Sequence, residues 1–199
     1  DTISEKTSAN GVTIDGVLVK DSVAHSGLVK LASSTASGSA TLTFDNFVDN
    51  STYSSYLIYF NDIVPATNTV DFYAIFRTGG ASGANKTGTY IQAGYAAKLD
   101  VDNAEFIKNR SYTNYARLTI EVGTGTREAL TGCARFVPST TGVQYIHSYT
   151  LHARAGGGDF QLYDLGSAIS TSDTITGISF LMETGNIASG NITIFGVKK

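Results

Sequence analysis

The sequence predicts an all-β fold, an antiparallel sandwich or barrel. Three observations predict it. Apolar and polar residues alternate with a period of two, as in Leu57 and Tyr59 against Tyr56, Ile58 and Phe60. The alternating runs are rich in β-branched and aromatic residues, which suit a pleated, half-buried surface. Gly and Ser/Thr clusters interrupt them at intervals of roughly ten to fifteen residues, the rhythm of sandwiches and barrels.

In chain order, "VTI" and "VLV" come first, then "HSGLVKLA", "SATLTF", "YSSYLIYFNDIV" and "VDFYAIFR". "TYIQAGYAA", "YARLTIEV", "LTGCARFV" and "VQYIHSYTLHAR" follow, and "DFQLYDL", "TITGISFLME" and "GNITIFGV" close the chain. In "VDFYAIFR", Phe72, Ala74 and Phe76 oppose Tyr73 and Ile75; in "TITGISFLME", Ile178, Phe180 and Met182 oppose Ser179 and Leu181. Pro65 and Pro138 sit at segment ends, where a missing N–H costs least. Residues 96–109, "AAKLDVDNAEFIKN", are the best helix candidate, through Leu99, Phe106 and Ile107, or else a loop.

The N-terminal "NGVTIDGVLVKD" reads as a hairpin around Asp15-Gly16. A two-residue turn there pairs Ile14 with Val17 and Val12 with Val19 on one face. Two strands this short do not stand alone in water. Val12, Ile14, Val17 and Val19 are therefore candidate assembly residues. The small, polar run "ASSTASGS" at 32–39 reads as a junction. It divides an N-terminal stalk or assembly segment, 1–36, from a head domain, 37–199.

Composition narrows the function. Hydrophobic residues make up 42% of the 199 positions, enough for a core, while charged residues make up only 16%. Ser, Thr, Asn and Gly carry the polarity, which suits an extracellular or virion surface meeting neutral polar ligands. Net charge is −3 and no Lys/Arg run occurs, so nucleic-acid binding is not expected. The single cysteine, Cys133, forms no internal disulfide and is expected as a small buried hydrophobe. No segment nears the ~18 continuous apolar residues of a spanning helix, so no membrane insertion is expected. No secretory leader is visible, and a start at Asp1 without Met suggests a processed or excised piece of something longer.

Three blocks carry a family resemblance. "EKTSANGVTIDGVLVKDS" (5–22) resembles the Asn-Gly-Val-Thr-Ile-Asp-Gly-Val-Leu-x-Lys-Asp run of bacteriophage virion proteins, found just before a C-terminal β-rich head. "YSSYLIYFNDIVPATNTVDFYAIFRTGG" (53–80) is similar to that family's aromatic-Leu-Ile strand, Val-Pro-Ala-Thr corner and Gly-Gly-terminated strand. "ITGISFLMETGNIASGNITIFGVKK" (175–199) resembles its closing Ser-Gly-Asn-Ile hairpin, with Phe195 where the family often has Tyr and Glu183-Thr184 replacing a small pair. Residues 98–172 match only loosely. The resemblance implies a tail-fibre, tail-tip or head-fibre protein of the virion. Its head would be a jelly-roll-like sandwich, homotrimeric, in contact with other virion proteins and with host surface glycans. No functional residue carries over by position.

The sequence offers little for catalysis. There is no G-x-S-x-G elbow, and only His25, His147 and His152 are available as a base. His147 and His152 are five apart, so one regular strand points them to opposite faces. Surface or interface positions are expected for them, and no metal site. Asp100, Asp102 and Glu105 cluster in "DVDNAE", which reads as a solvated loop. It lacks the glycine and distal Glu of an EF-hand calcium loop. A glycosidase pair would need two carboxyls roughly 5–9.5 Å apart. "AGGGD" (155–159) has no following Lys-Ser/Thr, so the phosphate-loop reading fails. No catalytic residue and no cofactor is expected.

Glycan binding is the remaining chemistry, through aromatic faces and side chains that bond hydroxyls. The chain has 11 Tyr and no Trp. Tyr90, Tyr95, Tyr112, Tyr115 and Tyr145 lie near Gly-rich loops, with Arg77, Asn85, Arg154 and Asp159. These nine are the candidate ligand-binding residues. The expectation is a non-enzymatic virion structural protein, a tail-fibre or tail-tip head that recognises a host glycan. A capsid or tail decoration protein is the alternative, and a glycan depolymerase comes third.

Overall fold

The computed structural model describes residues 12–14, 17–20, 23–25, 27–98, 104–125, 127–153 and 160–199, with backbone alone for 12–25, 98, 104–111 and 113. Two antiparallel sheets pack face to face as a β-sandwich, and a small third sheet precedes them. The third sheet is the meander β1 (Val12–Ile14), β2 (Val17–Lys20) and β3 (Val23–His25). Its first register pairs Val12 with Val19 and Ile14 with Val17, as the Asp15-Gly16 signal predicts.

The larger sheet has eight strands. Across it run β10 (Ala104–Thr113), β9 (Thr89–Lys98), β14 (Phe160–Ser170), β13 (Val143–Ala153), β12 (Leu130–Val137), β6 (Tyr53–Pro65), β16 (Ile187–Lys198) and β4 (Leu28–Thr35). The second sheet runs β11 (Ala116–Val122), β7 (Val70–Thr78), β15 (Ile175–Met182) and β5 (Leu42–Phe44), with β8 (Ala84–Asn85) beside β7. Leu28–Thr35 lies before the 36/37 boundary read from sequence, yet it pairs along β16. The eight-stranded sheet therefore starts at Leu28, and half of "ASSTASGS" is strand.

No α-helix occurs among the described residues; a 3₁₀ turn spans Gly80–Ser82. The helix candidate at 96–109 is corrected. Residues 96–98 end β9 and 104–109 belong to β10, paired from Ala104↔Ala97 to Thr113↔Thr89. β-strand pairing with a neighbour outweighs a weak helical period, because isolated helical propensity is small.

The core lies between the sheets. Period-two alternation places Tyr56, Ile58 and Phe60 of β6 inward, fully buried, opposite Phe72, Phe76 and Phe180 of the second sheet. An aromatic seam results: Phe60 meets Phe72 and Phe180 edge-on at 5.4 and 5.5 Å, and Phe136 meets Phe76 at 5.1 Å. Each such pair adds about 0.5–1.5 kcal/mol beyond the area it buries. The long strands bend at bulges. Asp62 (φ 52°) sits at a register shift of β6, and Gly190 (φ 113°) at one of β16.

The inner face turns polar under β11. Gln92, Ser148, Thr150, His152 and Gln161 project from the large sheet towards Arg117 and Thr119, all buried. The Ser148 and Thr150 hydroxyls donate to the Leu118 carbonyl at 3.1 and 3.3 Å. Tyr163 Oη donates to Gln161 Oε1 at 2.6 Å, and the Tyr163 ring stacks on His152 with centroids 5.6 Å apart.

Candidate functional site

Alternation leaves every second residue of the large sheet facing solvent, and strand register sorts these into rows. One row is Tyr95, Asp164, Tyr149, Cys133 and Tyr59, running from β9 to β6. The next is Ala93, Gly166, His147, Arg135 and Leu57. The third is Ile91, Ala168, Tyr145 and Val137. Directly opposed side chains lie about 5 Å apart, so each row is a continuous ridge or trough.

The surface is apolar and aromatic. Tyr145, Ile91 and Phe160 are 53%, 53% and 51% exposed, and Tyr149, Leu151 and Tyr59 are also open to solvent. They are spread over separate rows of this surface, with His147, Arg135 and Asp164 between them. A groove of about 480 Å³ runs through it, lined by Ile91, Tyr145, Val137, Arg135 and His147. Its depth follows from Ala93, Gly166 and Ala168, small residues on adjacent strands that leave a floor between taller walls. On the same face His147 Nε2 meets Asp164 Oδ1, both side chains about half exposed.

The nine residues singled out from sequence do not converge. Tyr145 stands on the outer face beside the groove, and Tyr95 lies in the row of Tyr149 and Tyr59. Tyr90 is fully buried. Its hydroxyl accepts from the Phe76 N–H and donates to the Lys86 carbonyl, both at 3.2 Å, and burial pushes its pKa up to about 12. It is a core residue, and a ligand reaches it only by opening the sandwich.

Arg77 is occupied within the chain. Its Nε and Nη2 hold both Asp45 oxygens, at 2.6 and 3.1 Å. Nη1 donates to Asn85 Oδ1 at 2.7 Å, and Nη2 also donates to the Gly83 carbonyl. The pair Arg77 and Asn85 thus fastens the Gly-rich loop to β7. Tyr115 stacks on Tyr73 at 4.0 Å, and Tyr112 lies 5.5 Å from Tyr115 with the Arg117 guanidinium 4.8 Å over its ring. This cluster sits at β11, away from Tyr145. Burial, then the Asp71 carboxylate beside it, raises the Tyr73 pKa. Arg154 and Asp159 lie outside the described residues, as do Asp100, Asp102 and the "AGGGD" run.

Two further expectations change. Cys133 faces outward between Tyr149 and Tyr59, partly exposed, and desolvation raises its thiol pKa. His147 and His152 do point to opposite faces. His147 is at the surface, but His152 is buried, and burial lowers its pKa to about 4 despite the nearby Ile120 and Glu121 carbonyls. No cluster of three or more His, Cys, Asp or Glu able to hold a metal occurs among the described residues. Sequence reasoning missed Tyr59, Tyr149, Leu151 and Phe160. Outward parity within long strands was the signal that would have found them.

No protein-family model, curated protein or solved structure matches the chain.

Proposed function

We propose that the chain is a non-enzymatic virion protein of a bacteriophage, the head of a tail fibre or tail tip that attaches to a host surface glycan. The observation that carries this reading is the outer face of the large sheet. Three tyrosines, Tyr59, Tyr145 and Tyr149, present their rings from hydrogen-bonded strands that need no reordering to bind. Aromatic faces of this kind pack against the C–H faces of sugars. The resemblance of residues 5–22, 53–80 and 175–199 to phage virion proteins supplies the biological setting. The meander of β1 to β3 serves as a stalk completed by neighbouring copies, with Val12, Ile14, Val17 and Val19 in the contact, and the assembly is a trimer.

The test is adsorption. The purified protein should bind host cells and block infection, and Tyr145→Ala with Tyr149→Ala should abolish both while leaving the circular-dichroism spectrum unchanged. Retention of full binding by the double variant would remove the reading.

The apolar share of the same face (Ile91, Val137, Leu151 and Phe160) favours a second reading, a decoration protein that packs on other virion proteins. Immunogold labelling separates the two: label at the distal tail supports attachment, and label on the head supports decoration. Release of oligosaccharides from host polysaccharide would instead indicate a depolymerase.

A further inference from the structure

A second concavity lies at the end of the sandwich, where the turns enter and leave the large sheet. One part, about 480 Å³, is bounded by the β12–β13 turn (Ser139–Gly142), the β14–β15 loop (Thr171–Thr174) and Asn50. Another part, about 440 Å³, shares Asn50, Pro138, Ser139 and Thr140 and continues to Tyr53, Tyr145 and Lys199. The two parts of this loop-end channel adjoin at that shared rim, and the second reaches Tyr145. Each part alone falls within the range of ligand sites, about 300–1,000 Å³.

The channel is preformed. Gln144, buried at its base, accepts from the Ser139 N–H at 3.1 Å and donates from Nε2 to the Ser139 carbonyl at 2.8 Å. Ser139 Oγ and Thr141 Oγ1 lie 2.8 Å apart, and the Thr171 N–H donates to the Gly142 carbonyl at 2.7 Å. The two loops are therefore joined to each other before any ligand arrives.

The channel also carries little charge, since only Asp173 and Lys199 among its lining residues are ionised. Asp173 pairs with Lys86 at 2.6 Å, and Lys199 Nζ donates to the Asn50 carbonyl at 2.6 Å. The Lys86 ammonium beside it lowers the Asp173 pKa, so the carboxylate stays paired at neutral pH. What remains for a ligand is hydroxyl and amide chemistry from Thr140, Ser172, Thr174 and Asn50, all exposed, with one aromatic wall.

From this we infer that the loop-end channel is a binding site for an uncharged oligosaccharide, its hydroxyls held by the Ser/Thr/Asn rim and one ring stacked on Tyr145. The inference rests on the attachment reading and gives it a location and a ligand class. Bidentate recognition of a sialic acid, sulfate or phosphate is an arginine's geometry, and no arginine lines the described rim.

The test uses the full chain and two probe sets. One set is neutral oligosaccharides terminating in glucose, galactose or N-acetylglucosamine; the other is the same cores carrying sialic acid or sulfate. Amide chemical shifts are followed during titration. Neutral probes should move Ser139–Gly142 and Thr171–Thr174, and Asn50→Ala and Thr174→Ala should each weaken binding roughly fivefold. Thr131→Ala, exposed at the opposite end of β12, should leave saccharide affinity unchanged. Preference for the charged probes, or shifts confined to the sheet face, would overturn the inference. If the protein binds host cells but the Asn50 and Thr174 variants bind equally well, the channel is wrong and attachment through the sheet stands. If it binds neither cells nor probes, the attachment reading itself fails.

Discussion

Replacing His152 with Gln tests the polar layer beneath β11. In the folded chain the imidazole is 2% exposed, stacked on Tyr163, with Nδ1 3.5 Å from Thr119 Oγ1. Burial lowers its pKa from the ordinary 6.5 to about 4, more than the Glu121 and Glu128 carboxylates can offset. Below pH 6.5 the unfolded chain takes up a proton at this side chain and the folded chain does not. The unfolded state then binds more protons, so stability falls as pH falls, and the loss levels off below about pH 4. At 1.36 kcal/mol per pH unit, the interval from 6.5 to about 4 is worth about 3 kcal/mol. The assay is urea unfolding, followed by circular dichroism at pH 7, 5.5 and 4, for the wild type and His152→Gln. Glutamine has no proton to gain, so the wild type should lose about 3 kcal/mol more than the variant over this range. Carboxylates such as Asp71 titrate in both proteins and cancel. Parallel pH profiles would refute the burial argument.

Three other outcomes are expected. Arg77→Ala leaves the Asp45 carboxylate without its fork and should cost about 2 kcal/mol in thermal or urea unfolding. It should also speed amide exchange at Asn85 and Lys86, because the loop loses its fastening. Gly190→Ala places a Cβ 2.6 Å from the Asp62 carbonyl oxygen, at φ 113°, and should lower stability by about 3 kcal/mol, read as a drop in Tm. Truncation before Gly27 should leave a folded head that no longer assembles, read by light scattering, whereas truncation before Ser37 removes β4, exposes the β16 edge and should produce aggregation.

Much of the fold was legible because a period of two is a local property. Ile58, Phe60, Phe72 and Phe180 announce their inward parity within their own segments, and the Asp15-Gly16 signal announces the pairing of β1 with β2. Residues 104–109 were not legible as strand, because their pairing with β9 depends on the register of two segments together, which the period within one segment does not carry. The same limit explains Tyr90. Nearness to a Gly-rich loop says nothing about parity, and its neighbours Ile91 and Gln92 give an ambiguous alternation, with the polar residue facing inward. Cys133 misled in the opposite sense: its residue type favours burial, but its register between Tyr149 and Tyr59 faces it outward. The Ser/Thr/Gln inner face under β11 is invisible to any rule that sets polar residues outside. The loop-end channel needed three loops distant in sequence to meet.

The Gln144 brace separates the shape of the channel from its chemistry. The amide fixes the β12–β13 turn through the backbone of Ser139, so the side chains at 140, 172 and 174 bear none of that duty. Mutations there can alter what the rim recognises while the loops keep their course. A chain under pressure to follow a changing host coat could drift at these positions without refolding, and a library randomised at the same three sites would sample new specificities on an intact frame.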